Sequence, residues 1–148
     1  MGEITFRSGT VLIVDDEEQI IQVLSEGLTQ VGYQVISAQS GRNAYLTLVK
    51  HAHTQGAIGV KVIVCDWMMP NGTGIEFLQR IRKEVAHHDI PFILISGAVS
   101  MDKLSEALNH DADAVLFKPF TIEALIDKID FAVHHREMKA IRKVVGPT

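Results

Sequence analysis

The chain has 148 residues, 47% of them hydrophobic and 22% charged, which is enough to bury one core and points to a single globular domain. A formal net charge of -4 gives no basic field to attract a phosphate backbone, so direct nucleic-acid binding is not expected. The lone cysteine, Cys65, excludes an internal disulfide and a thiolate metal site; no apolar stretch approaches the roughly 18 residues of a membrane span or resembles a signal peptide, so a cytoplasmic location is expected.

Residues 1–8 read as a disordered N-terminal lead. Thr10 to Val14 is a short β-branched apolar run of strand type, followed by Ile20, Val23, Leu24 and Leu28 at helical spacing. Tyr33 to Ser37 is a second strand pattern, and His51 to Gly59 reads as a surface loop leading to a third at Lys61 to Cys65. Thr73 with Glu76 makes a capping-box signature for a helix that continues through Ile75, Leu78 and Ile81. Further strands are expected at Pro91 to Ile95 and Ala114 to Phe117. A last helix opens at Thr121 and runs through Ile122, Leu125, Ile126 and Ile129. The basic residues Arg136, Lys139, Arg142 and Lys143 read as its solvated face. Strand and helix thus alternate five times. Apolar runs of this kind are covered on both faces, and right-handed crossovers join them in one parallel, doubly wound α/β sheet with helices on either side. The expected domain spans 9–136, with 137–148 as a helix extension and tail where a linker could start.

Four of the five strands are followed at once by polar residues that the apolar pattern does not predict: Asp15 and Asp16, Asp66, Ser96, and Lys118. In a parallel sheet the carboxyl ends of the strands share one edge, so these side chains converge where such folds bind ligands. Each has an ordinary explanation alone. Asp15 and Asp16 could cap the first helix, Asp66 could open the turn through Pro70, Asn71 and Gly72, Ser96-Gly97 could be a turn, and Lys118 an exposed lysine. Together they describe a site. Three close carboxylates repel by roughly 4 kcal/mol per pair at an effective dielectric near 20, so the cluster requires a cation beyond Lys118. Hard oxygen donors suit Mg²⁺. A carboxylate beside a metal, a lysine and a hydroxyl can receive a phosphoryl group, with Asp66 as nucleophile, Lys118 neutralising the phosphoryl oxygens and Ser96 donating a hydrogen bond.

These motifs resemble the receiver domains of bacterial two-component response regulators. The resemblance covers Thr10 to about Arg136. It is carried by Asp15-Asp16, by Asp66-Trp67-Met68-Met69-Pro70 with Gly74, by Ser96-Gly97 and by Lys118-Pro119-Phe120. It implies a flavodoxin-like sheet of order 2-1-3-4-5. It also implies phosphoryl transfer to Asp66 from a phosphohistidine on a sensor histidine kinase or histidine phosphotransfer protein. Mg²⁺ would then be held by Asp16, Asp66 and the backbone carbonyl of Met68, with Asp15 acting through water. In such receivers the serine moves toward the phosphate and its loop, here Gly97 to Ser100, repacks the surface of helix 4, strand 5 and helix 5. That surface is the expected place for a downstream effector or a homodimer. The chain would be a signalling switch in a phosphorelay and not an enzyme in its own right. One departure stands out: Val115 lies where receivers commonly carry a tyrosine or phenylalanine that reports the switch. Met68 and Ala98 also place no acid or amide beside the phosphate, which implies slow self-dephosphorylation.

Three other readings are weaker. A phosphatase of the haloacid-dehalogenase type needs a second aspartate two positions after the first, where Met68 stands. A dinucleotide site needs glycines after the first strand, where Asp15 and Asp16 would repel a pyrophosphate. A phosphorylation-independent adaptor of the same fold is kept open by Val115. The seven histidines show no spacing that closes a metal site and are expected at the surface.

Overall fold

The computed structural model describes residues 6–54, 59–70, 72–98 and 100–146. Five strands, β1 (Thr10–Val14), β2 (Gln34–Ala38), β3 (Val60–Asp66), β4 (Phe92–Ser96) and β5 (Ala114–Phe117), pair in parallel in the order β2-β1-β3-β4-β5. Five helices alternate with them: α1 (Glu18–Gln30), α2 (Gly41–Ala52), α3 (Gly74–Lys83), α4 (Met101–Asn109) and α5 (Ile122–Val145). Successive strand residues point to opposite faces, so the apolar runs divide into two cores. Leu12, Val14, Ile63, Cys65, Phe92 and Leu94 pack beneath α2, α3 and α4. Val11, Ile13, Val62, Val64, Ile93 and Ile95 pack beneath α1 and α5.

Helix starts follow side-chain chemistry. Ser40, Thr73, Ser100 and Thr121 each accept a hydrogen bond from the backbone N–H three residues on, capping α2, α3, α4 and α5. The N-cap of α1, Glu17, makes no such bond, and neither Asp15 nor Asp16 caps that helix. The stretch beginning at His51 is not all loop, because α2 continues to Ala52. Of the expected loops and tails, residues 1–5, 55–58, Asn71, Val99 and 147–148 lie outside the described residues. Within the N-terminal lead, the Arg7 N–H donates to the Val31 carbonyl at 2.7 Å, and its guanidinium pairs with Asp130.

The sheet edge at the amino end of β5 carries an ionic cluster that the sequence reading did not anticipate. The Asp113 side chain is 0% exposed. It accepts from the Phe92 N–H (2.8 Å), Arg82 (2.9 Å), Arg136 (3.0 Å) and His135 (2.7 Å). Asp111, at φ 69, turns its carboxylate toward Arg136 (3.0 Å) and also pairs with Lys139. Burial pushes the Asp111 carboxyl up, but hydrogen bonds from Arg136 and Lys139 outweigh it and hold the group near pKa about 2. Arg136 is therefore not on a solvated face; it is buried and anchors α5. His135 belongs to the same cluster and is not a bystander at the surface. Burial, and then the neighbouring Arg136, lower the Arg82 pKa to about 10, so both guanidiniums remain charged at neutral pH around one carboxylate.

Candidate functional site

At the opposite edge of the sheet, β1 ends into Asp15 and Asp16, β3 ends on Asp66, β4 ends on Ser96, and Lys118 follows β5. One carboxylate oxygen from each of Asp15, Asp16 and Asp66 lies within 4.8 Å of the other two. Lys118 Nζ is 3.7 Å from Asp66 Oδ1. Asp16, Asp66, Met68, Ser96 and Lys118 line one open cleft. Every predicted side chain is thus brought together. Asp15 is set deeper, its Oδ1 accepting from the Glu17 N–H at 2.9 Å.

The electrostatics show a shortage of positive charge. Burial, opposed by the Glu17 N–H bond and reinforced by Asp66, raises the Asp15 pKa to about 6. Asp66 is raised as well, by burial first, with Lys118 pulling it down and Asp16 pushing it up. A buried carboxylate group that one lysine cannot neutralise is a fitting donor set for a divalent cation, and all-oxygen donors favour Mg²⁺ over softer metals.

The supporting elements keep this edge tight. The Gly74 N–H donates to the Trp67 carbonyl at 2.8 Å. A Cβ on Gly74 would stand 2.6 Å from the Asp66 carbonyl oxygen and 2.8 Å from Leu94, so α3 approaches the acceptor strand only because that position is glycine. Met68 pairs with Thr73 and Met69 with Gly72 in a two-residue antiparallel ladder that folds the turn back over β3. The Ser96 hydroxyl is held by its own loop, donating to the Ala98 carbonyl and accepting from the Ala98 N–H, each at 3.1 Å. Val115 is buried among the residues under α2, α3 and α4 and presents no aromatic ring.

One cleft residue was missed. Lys103, in the first turn of α4, lines the cleft and holds its Nζ 4.6 Å from the centre of the Trp67 ring. A cation in the first turn opposes the helix dipole, which was the available signal that its charge serves something outside the helix.

Residues 11–130 match the family profile described as the response regulator receiver domain. The phosphate regulon transcriptional regulatory protein PhoB of Pseudomonas aeruginosa is 28% identical over 138 residues, 93% of this chain and 53% of its own length. A chemotaxis protein CheY homolog of Campylobacter jejuni is 29% identical over 121 residues, 81% of this chain and 88% of its own length. The chain therefore spans about half of the first relative and most of the second. Among solved structures, chemotaxis protein CheY4 of Vibrio cholerae superposes with a TM-score of 0.74 at 31% identity, covering 85% of this chain and 99% of that one. The beryllofluoride-activated NtrC4 receiver domain dimer gives 0.73 at 32% identity, covering 86% and 98%.

Proposed function

Because this chain belongs to the response regulator receiver domain family, we propose that it receives a phosphoryl group on Asp66 from a phosphohistidine of a sensor histidine kinase or histidine phosphotransfer protein. The observation that carries this reading is the Asp66 carboxylate, set between two further acids and Lys118 at one sheet edge.

In the transfer, an Asp66 carboxylate oxygen attacks phosphorus, the P–N bond to the imidazole breaks, and the imidazole leaves with that electron pair. An acyl phosphate results. Lys118 sits to balance charge on the phosphoryl oxygens. Asp16, Asp66 and the Met68 backbone carbonyl would hold Mg²⁺, with Asp15 acting through water; when bound, the ion offsets the charge of the carboxylates and of the incoming phosphoryl group. The Ser96 hydroxyl must release the Ala98 backbone to reach the phosphate. Its loop is then free to shift, which repacks the surface of α4, β5 and α5 for an effector. With Val115 in place of an aromatic switch, this backbone movement is the main relay. The receiver unit spans 9–136, and α5 continues beyond it. No helix among the described residues is long and apolar enough to cross a membrane, and the reading is of a cytoplasmic switch.

The test is incubation with Mg²⁺ and a small phosphodonor, read by intact mass. The wild type gains one phosphoryl group and Asp66→Asn gains none. An unchanged wild type, or an equal gain in the variant, overturns the assignment.

A further inference from the structure

The second half of α5 has two unlike faces. One is fixed to the domain: Ile129, Ala132 and Arg136 are buried, and Lys139 pairs with Asp111. The other carries Phe131, Met138, Ile141 and Val145, which are 55%, 38%, 52% and 70% exposed. At 3.6 residues per turn the two faces lie on roughly opposite sides of the helix. Phe131, Met138 and Val145 are spaced by seven, and Ile141 falls three after Met138, as His134 does after Phe131. This is the a and d pattern of a coiled-coil seam.

The flanking charges fit the same frame. With Phe131, Met138 and Val145 at a, Glu137 falls at g and Arg142 at e. In a parallel pair each Glu137 faces the Arg142 of the other copy, twice by symmetry. No ion pair engages either side chain within the described residues, so both are available. An antiparallel pair would instead set acidic g against acidic g and basic e against basic e.

We propose that the face of α5 from Phe131 to Val145 is the seam of a parallel, two-fold coiled coil with a second copy of this chain. About two heptads would be marginal as free peptides. Here the helix is already ordered by the core and by Asp111 and Asp113, so association does not have to form it. The seam touches neither the acidic cleft nor Ser96, and it stands independently of Asp66 phosphorylation.

Sedimentation of the full chain over a range of concentrations tests this. The wild type forms a concentration-dependent dimer, and Met138→Glu with Ile141→Glu makes it monomeric while thermal unfolding stays cooperative. Glu137→Arg alone and Arg142→Glu alone each weaken the dimer about fivefold to tenfold, and the two together restore it. Since Cys65 is buried, Ile141→Cys gives the one accessible thiol, and it forms an intermolecular disulfide readily only in a parallel pair. A wild type that stays monomeric at millimolar concentration overturns the inference. So does a dimer that survives the seam substitutions but is lost in Met101→Glu on α4, or a double charge reversal that fails to rescue. The phosphodonor mass assay on the same variants stays positive in every case, which separates failure of the seam from failure of the Asp66 assignment.

Discussion

Replacing Asp113 by alanine tests what holds the far end of the sheet. The substitution removes the common acceptor of Arg82, Arg136, His135 and the Phe92 N–H. Two guanidiniums, with side chains 10% and 3% exposed, then face each other without their shared anion. Removing one partner from a buried ion pair typically costs about 3–5 kcal/mol, and the orphaned Phe92 N–H adds to that side. For a chain of this size the loss corresponds to a fall in Tm of roughly 10 °C. Asp111→Ala is the internal comparison: its side chain is 39% exposed, so about 1 kcal/mol is expected despite a similar count of partners. Urea unfolding of the three proteins, fitted with a common slope, gives both differences. A loss below about 1 kcal/mol for Asp113→Ala, or one no larger than that of Asp111→Ala, refutes the reasoning. Below its lowered Tm, the Asp113 variant still accepts phosphate at Asp66, because the two clusters lie at opposite edges.

Other outcomes follow from the same electrostatics. The folded pKa of Asp111, about 2, lies below its unfolded value, so its contribution is present above the ordinary carboxylate range and is lost as pH falls toward 2. The stability gap between wild type and Asp111→Asn should therefore close between about pH 4 and pH 2; a gap unchanged over that window contradicts the pairing. Asp15 has the opposite sign: with its folded pKa raised to about 6, it costs stability as pH rises from the ordinary carboxylate range through 6. Asp15→Asn should stabilise the Mg²⁺-free protein by about 1 kcal/mol at neutral pH while reducing the Tm gain on adding Mg²⁺, as scanning calorimetry would show. Phosphorylated protein, freed of donor and kept alone, should decay over minutes or longer, since Met68 and Ala98 beside the cleft offer no acid or amide to orient water. Loss within seconds would count against this.

Much of the fold could be read in the chain because β-branched runs and helical spacing alternate cleanly, yet the strands β3 and β4 run one residue past the expected ends. Asp66 and Ser96 interrupt hydropathy but not backbone pairing: Asp66 is in register with Ile95 and Ser96 with Phe117. Side-chain polarity marks where the site begins, and hydrogen bonds decide where the strand stops. The converging residues could be read because parallel topology alone sends Asp15, Asp16, Asp66, Ser96 and Lys118 to one edge. The ionic cluster could not be read this way, since Asp113 and Arg136 are far apart in sequence and meet only once α5 packs. A signal existed all the same. The buried stripe Leu125, Ile129, Ala132 leads at helical spacing onto Arg136, and a charge that continues a core stripe needs a buried partner.

α5 is 24 residues long, about 36 Å at 1.5 Å per residue. It starts just past Lys118 and is gripped near its middle, at Arg136, by Asp111 and Asp113. Those contacts act as a fulcrum. A tilt of roughly 10° imposed at the upper end, where Lys118 meets the phosphate, carries Val145 about 2 Å the other way, because an arm of about 14 Å lies beyond Arg136. A charge gained in the cleft is thereby converted into displacement at the far end of a rigid rod, with no change in the rod itself.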